Sequence, residues 1–203
     1  MSKTRVEFLS DGVFAIVMTL LIIEIHVPEV GSDFVEGMVH LIPSFMTYFL
    51  SFMVLSVFWL SHHAFFSFFV RDINRQLIQL NIVYLSFVAL IPFSANLIAV
   101  HPHEQLAAVW YGGNLLAVGL MANITFWYAR RTHEVHNHDA NPRSLKQAST
   151  RLKLTPVFAI LGILASFASI EAALVLFAFP TLFNAIPGTL DLTEKLFGLD
   201  FGK

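Results

Sequence analysis

Six apolar stretches, joined by short polar segments, occupy almost the whole chain, and no other feature restricts its fold so severely. A spanning helix needs roughly 20 mostly apolar residues to cross a hydrocarbon core of about 30 Å. In lipid the backbone satisfies its own polar groups only within helices or closed barrels. The stretches cover residues 6–27, 42–70, 77–100, 106–128, 154–168 and 171–187. The last two belong to one apolar run, 154–186, which as a single helix would be about 50 Å long, too long for a bilayer. Its only polar interruption lies at 166–171, where a tight turn is expected. The fold class expected is therefore all-α, a polytopic membrane protein with six transmembrane helices in a single domain over 1–203. With 56% hydrophobic and 13% charged residues, a water-soluble fold could not hide the apolar surface. The apolar start carries Asp11 and Glu24 and has no small-x-small cleavage site, so it reads as a retained helix rather than a signal peptide.

The charges then orient the spans. Lys3 and Arg5 precede the first span, Arg71 and Arg75 join the second to the third, and Lys195 and Lys203 follow the sixth. Arg130, Arg131, Arg143, Lys146, Arg151 and Lys153 join the fourth to the fifth. With six spans all 12 basic residues fall on one side, while Glu29, Asp33, Glu36, Glu104 and Glu171 lie on the other. Cytoplasmic loops carry the excess of Lys and Arg, so both termini are expected in the cytoplasm.

There is no cysteine, which removes disulfides, thiolate metal sites and thiol nucleophiles. His133, His136, His138 and Asp139 are donors of a type that can hold a metal, but a solvated loop is the expectation there, with no cofactor. The near balance of 12 basic and 14 acidic residues is uninformative as a total, and no nucleic-acid partner is expected.

An ionisable residue inside a span is a functional signal by default, because it costs several kcal/mol unless paired or hydrated. Only the first span carries acids in its interior. Asp11 lies six residues beyond Arg5, about 9 Å into the membrane. Counted in the same way from Arg71 and Arg75, His62, His63 and Asn81 fall in its layer, with Trp59 one turn deeper. A network of Ser10, Asp11, His62 or His63, and Asn81 is expected, with His62, His63 and Asn81 donating to the Asp11 carboxylate. Ile16, Leu20, Ile23 and Val27 recur at helical spacing on one face, about 140° from Asp11. Thr19 lies beside that stripe, and Glu24 near its outer end would attract cations to an external mouth.

The string Arg5-x-x-x-x-Ser10-Asp11-Gly12-Val13-Phe14-Ala15-Ile16, followed by Thr19 and by Trp59, His62 and His63, resembles the transmembrane protein 175 family of potassium channels. Where that family usually has Phe immediately before Ser-Asp, this chain has Leu9, with Phe8 one position earlier. The resemblance implies a homotetramer in a bacterial inner membrane whose first helices line a central K⁺ pore. It implies a constriction at Ile16, with Leu20 and Ile23 above it, Thr19 in the selectivity region, and Glu24 and Val27 at the outer mouth. Arg5, Ser10 and Asp11, with Trp59, His62, His63 and Asn81, would hold the first helix in place. No Thr-Val-Gly-Tyr-Gly filter is present. A secondary transporter that relays protons through buried Asp and His is the alternative; no internal repeat supports it. A membrane enzyme is not expected, because the remaining histidines are scattered.

The topology has a direct test. Single cysteines at Ser32, His103 and Ser169 should react with an impermeant thiol reagent in sealed cells, and cysteines at Ser2, Asn74 and Asn141 should not. External labelling at Asn74 would overturn the orientation.

Overall fold

The computed structural model describes residues 2–23, 25 and 34–186, and their regular structure is helical. Helix α1 (Lys3–Ile23) is followed by a short α2 (Phe34–His40) and by α3 (Ile42–Ala64). Pro43 sits in the first turn of α3, where a missing N–H leaves no helical bond unmade. The helix then widens into a π turn, Phe65–Phe69. Helix α4 (Arg75–Val88) opens at Asn74, whose side-chain oxygen accepts from the Leu77 amide at 2.9 Å. Helices α5 (Ile91–Val100), α6 (Gln105–Arg131), α7 (Pro142–Ala165) and α8 (Ile170–Ala185) complete the order.

By length and composition, Lys3–Ile23, Gly37–Phe69, Arg75–Val100, Gln105–Arg131 and Pro142–Ala165 can each cross a membrane. The shorter apolar α8 has 16 residues, about 24 Å of helix. Two details depart from hydropathy. The span expected as one helix over 77–100 is two helices, α4 and α5. Pro92, in the first turn of α5, has no N–H to return to the preceding turn, and the chain tightens there, with Leu90 N donating to Phe87 O at 3.2 Å. Helix α7 begins at Pro142, well before the apolar run at Leu154. Asn141 caps it by accepting from the Arg143 amide at 2.9 Å, a local signal that hydropathy does not register.

Helix α6 is the centre of the bundle, packed on α4, α5, α7 and α8, while α1 lies on α3, α4 and α5. Pro156 interrupts α7 and leaves the Leu152 carbonyl without its helical donor. Asn123 of α6 supplies one: its Nδ2 donates to Leu152 O at 2.8 Å and to Gly119 O at 2.8 Å. Gly119 faces the proline, and a Cβ there would come within 2.8 Å of Pro156 Cδ. A second close approach joins three helices, because the buried Phe177 ring of α8 rests on Gly112 of α6 and Gly162 of α7. Small residues that let helices approach closely are the usual device where no hydrophobic driving force separates helix from lipid.

The end of the bundle rich in Arg and Lys is tied by backbone. Arg71 N donates to Val135 O at 2.8 Å and Asn137 N to Phe69 O at 3.1 Å, an antiparallel bridge joining the end of α3 to the segment after α6. Lys3 Nζ donates to the Val70 carbonyl at 2.7 Å, so the start of α1 is fastened to the same bridge.

The glycine contacts separate two neighbouring positions. Gly112→Ala should lower the thermal stability of the detergent-solubilised protein by about 1–3 kcal/mol, because its Cβ would lie 2.6 Å from the Phe177 ring. Gly113→Ala, with nothing within 4 Å of its Cβ position, should be neutral or stabilising. Equal melting temperatures for the two variants would contradict this packing.

Candidate functional site

Helix α1 has two faces of opposite character. Val6, Ser10, Phe14, Val17 and Leu21 are buried, spaced at i, i+4, i+8, i+11 and i+15, one helical stripe. On the other side Ile16 is 61%, Leu20 42% and Ile23 68% exposed, with Thr19 beside them. The Thr19 hydroxyl donates to the Ile16 carbonyl at 2.8 Å and keeps its own oxygen free to accept. Glu24 and Val27 lie outside the described residues.

The buried face carries a chain of hydrogen bonds. His62 Nε2 lies 2.7 Å from Asn81 Oδ1, Asn81 Nδ2 donates to Ser10 Oγ at 3.0 Å, and Ser10 Oγ donates to the Val6 carbonyl at 2.9 Å. Because the Asn81 amide nitrogen is spent on Ser10, its oxygen must accept, and Nε2 of His62 carries the proton. Asn81 is 1% and Ser10 0% exposed, so α3, α4 and α1 meet here in the interior of the bundle. The imidazole is boxed by rings: Tyr84 stacks on it at 5.6 Å, with Phe66 at 4.8 Å and Phe14 at 5.8 Å between centroids.

Asp11 belongs to a separate contact. Its Oδ1 accepts from Trp59 Nε1–H at 2.9 Å, and the His63 ring stacks behind the indole at 6.0 Å between centroids. None of the donors expected for Asp11, His62, His63 or Asn81, forms a hydrogen bond with it among the described residues. The residues of the expected layer are thus brought together, but the donor to the carboxylate is Trp59. The reason is geometric: Ser10 and Asp11 are about 100° apart on α1, so only Ser10 faces α4. Residues counted back from Arg71 also pass through the π turn, which holds more residues per turn and rotates His62 and His63 away from their ideal-helix positions. Arg5 is exposed and makes no side-chain bond to another described residue; Lys3 does the fastening at that end.

Two groups went unread in the sequence. Tyr84 closes the box around His62, and its signal was the spacing from Asn81, one helical turn on the same face of α4. Ser44, Thr47, Tyr48 and Ser51 of α3, at i, i+3, i+4 and i+7, line a cavity of about 170 Å³ with Leu21 and Asn96 behind the outer half of α1. In the segment after α6, the His133, His136 and His138 rings crowd together, with His138 centroids 4.6 and 5.1 Å from the other two. Burial, then the neighbouring His138, Arg130 and His133, hold His136 below the usual histidine range. Among the described residues no three His, Cys, Asp or Glu side chains converge as metal ligands.

Comparison with known proteins bears on this helix directly. The family model described as endosomal/lysosomal potassium channel TMEM175 matches residues 5–92, which takes in α1 from Arg5 onward, the Trp59 and His62 segment and Asn81. A potassium channel of Streptomyces collinus is 33% identical over 198 residues, covering 90% of this chain and 93% of that protein. The chain belongs to the TMEM175 family. Its backbone is similar to the crystal structure of a lysosomal potassium-selective channel TMEM175 homolog from Chamaesiphon minutus, with a TM-score of 0.78 and 27% identity. That similarity covers 90% of this chain and 96% of the other. The Gallus gallus endosomal/lysosomal proton channel TMEM175 is 33% identical over 147 residues, 66% of this chain but only 29% of that protein. Within the family frame, the buried stripe of α1 is the face that meets its own bundle.

The two polar contacts give separable predictions. Asn81→Leu keeps the volume but strands Ser10 and His62, and should cost about 1–3 kcal/mol of stability. Asp11→Asn should be milder than Asp11→Ala, since an amide oxygen still accepts from Trp59. Asp11→Ala and Trp59→Phe should each lower the melting temperature, and their double variant should lose less than the sum. Additive losses would contradict the contact.

Proposed function

We propose that the chain is a potassium-permeable channel in which α1 lines the ion path and a hydrophobic constriction replaces a carbonyl filter. The observation that carries this reading is the division of α1: one face is locked to α3 and α4 by buried polar bonds, and the opposite face presents Ile16, Leu20 and Ile23. The names of the Streptomyces and Chamaesiphon relatives support potassium as the permeant ion. A homotetramer would bring four copies of that face around one axis, because a closed cyclic assembly presents the same patch from every subunit.

In this reading the narrowest ring is Ile16, followed outward by Leu20 and Ile23, with Thr19 offering a hydroxyl oxygen beside them. A dry apolar ring admits ions that shed water most easily, so K⁺ passes at less cost than Na⁺, and it closes by dewetting. Glu24 and Val27 form the outer mouth, and the carboxylate concentrates cations there. The Arg- and Lys-rich end, with both termini, faces the cytoplasm, in a bacterial inner membrane. The single domain holds six spans, with α4 and α5 together forming the third, and its partners are K⁺, the lipid bilayer and its own copies. Ser10, Asn81 and His62, together with Asp11 and Trp59, hold the rotation of α1 and so the aim of Ile16.

Ile16→Asn hydrates the ring, and in single-channel recordings of purified protein it should raise conductance and weaken the preference for K⁺ over Na⁺. Leu20→Asn and Ile23→Asn act in the same direction. Unchanged permeation in all three well-folded variants refutes the constriction.

A further inference from the structure

A cavity of about 160 Å³ lies among α3, α4, α6, α7 and α8, and no described residue of α1 lines it. Its size is close to that of an engineered apolar cavity that takes up a benzene molecule. Phe58, Phe65, Phe69 and Phe126 give it a largely aromatic wall. Two polar groups in that wall have no hydrogen-bond partner among the described residues. One is Asn184 Oδ1 of α8, a buried oxygen that can only accept. The other is the hydroxyl of Tyr84 of α4, a residue 5% exposed, whose O–H can donate. Both of these open groups are uncharged. The Arg151 guanidinium beside Asn184 is already engaged, in part by the Asn184 carbonyl oxygen at 3.4 Å.

We propose that this cavity binds a small uncharged aromatic molecule with a hydroxyl at one end of its ring and an ether or carbonyl oxygen at the other. The aromatic wall takes the ring, and the volume admits one ring with short substituents. The hydroxyl donates to Asn184 Oδ1, and the second oxygen accepts from the Tyr84 O–H; each of these buried groups is otherwise a standing penalty. Asn184 and Tyr84 belong to different helices, α8 and α4, which is why the two oxygens of the ligand stand at opposite ends of the ring. A charged ligand is disfavoured, because neither open group carries a countercharge and a bare charge is costly to take out of water. Tyr84 stacks on His62, which bonds Asn81 and through it Ser10 of α1, so an occupant held by Tyr84 bears on the rotation of α1. In this respect alone the inference rests on the channel reading above.

The probe is para-methoxybenzyl alcohol, with para-ethylanisole lacking the hydroxyl and para-ethylbenzyl alcohol lacking the second oxygen at nearly the same size. Isothermal titration against the purified protein should show saturable binding of the probe and about tenfold weaker binding of each analogue, the weight of one buried hydrogen bond. Asn184→Leu should weaken the probe until it binds like para-ethylanisole, and Tyr84→Phe until it binds like para-ethylbenzyl alcohol. Should one variant fail to fold, the other variant and the analogue series decide the matter. No saturable binding of the probe, or equal affinity of the unaltered protein for the probe and either analogue, overturns the site. Binding of para-methoxybenzoate as tight as that of the probe overturns the uncharged class. Saturating probe should also change K⁺ flux into vesicles, an effect that Asn184→Leu removes; unchanged flux with calorimetric binding intact overturns the link to α1. Absence of K⁺ flux from the ligand-free protein would count against the channel reading and leave the calorimetric test standing.

Discussion

The structure depends on one buried amide. Asn81 lies in the interior of the bundle, between three helices, and both ends of its side chain are satisfied: the oxygen by His62, the nitrogen by Ser10. In a membrane an amide without partners costs several kcal/mol, and the helices can rotate until it finds them. Satisfying it sets the rotation of α1 against α4 within a fraction of a turn. A shift of one residue would carry Ser10 about 100° away and bring Leu9 or Asp11 to the amide instead. The apolar stripe around Ser10, from Val6 to Leu21, fits only that same rotation. Packing and hydrogen bonding thus agree, and Ile16, Leu20 and Ile23 are left facing away from the bundle.

The remainder of the bundle serves as a buttress for that contact. Helices α6, α7 and α8 carry no hydrogen bond to α1 among those described, yet they form the wall behind His62 and Tyr84. Their close approach rests on Gly112, Gly119 and Gly162 and on Asn123, which answers the carbonyl that Pro156 leaves unbonded. Each of these is a place where a small or polar residue in an apolar helix solves a packing problem set by another helix.

Much of this was legible in the sequence and some was not, for physical reasons. The layer that contains Ser10, Asp11, His62 and Asn81 follows from charge positions, because Arg and Lys mark the membrane boundary and helical rise converts residue count to depth. Depth does not give azimuth, so the partner of Asp11 was misread as His62, His63 or Asn81, when Trp59 reaches it. The π turn added to that error, since Phe65–Phe69 has no distinctive composition. The break between α4 and α5 is marked by Pro92, but proline also occurs within unbroken apolar helices, as Pro156 and Pro180 do here. The polar first half of α7 escaped because hydropathy registers lipid contact and not helicity.

The central claim is that the face of α1 opposite Ser10 and Phe14 meets its symmetry mates around a K⁺ pathway. Spin labels attached at Ile23→Cys in the reconstituted protein test it by pulsed dipolar spectroscopy. Four labels around an axis give two short distances in a ratio of about 1.4, the side and diagonal of a square. A label at Leu60→Cys, on the exposed side of α3, should give longer distances in the same ratio. Distances at Ile23 longer than those at Leu60, or no dipolar coupling at either position, would contradict a central path lined by α1.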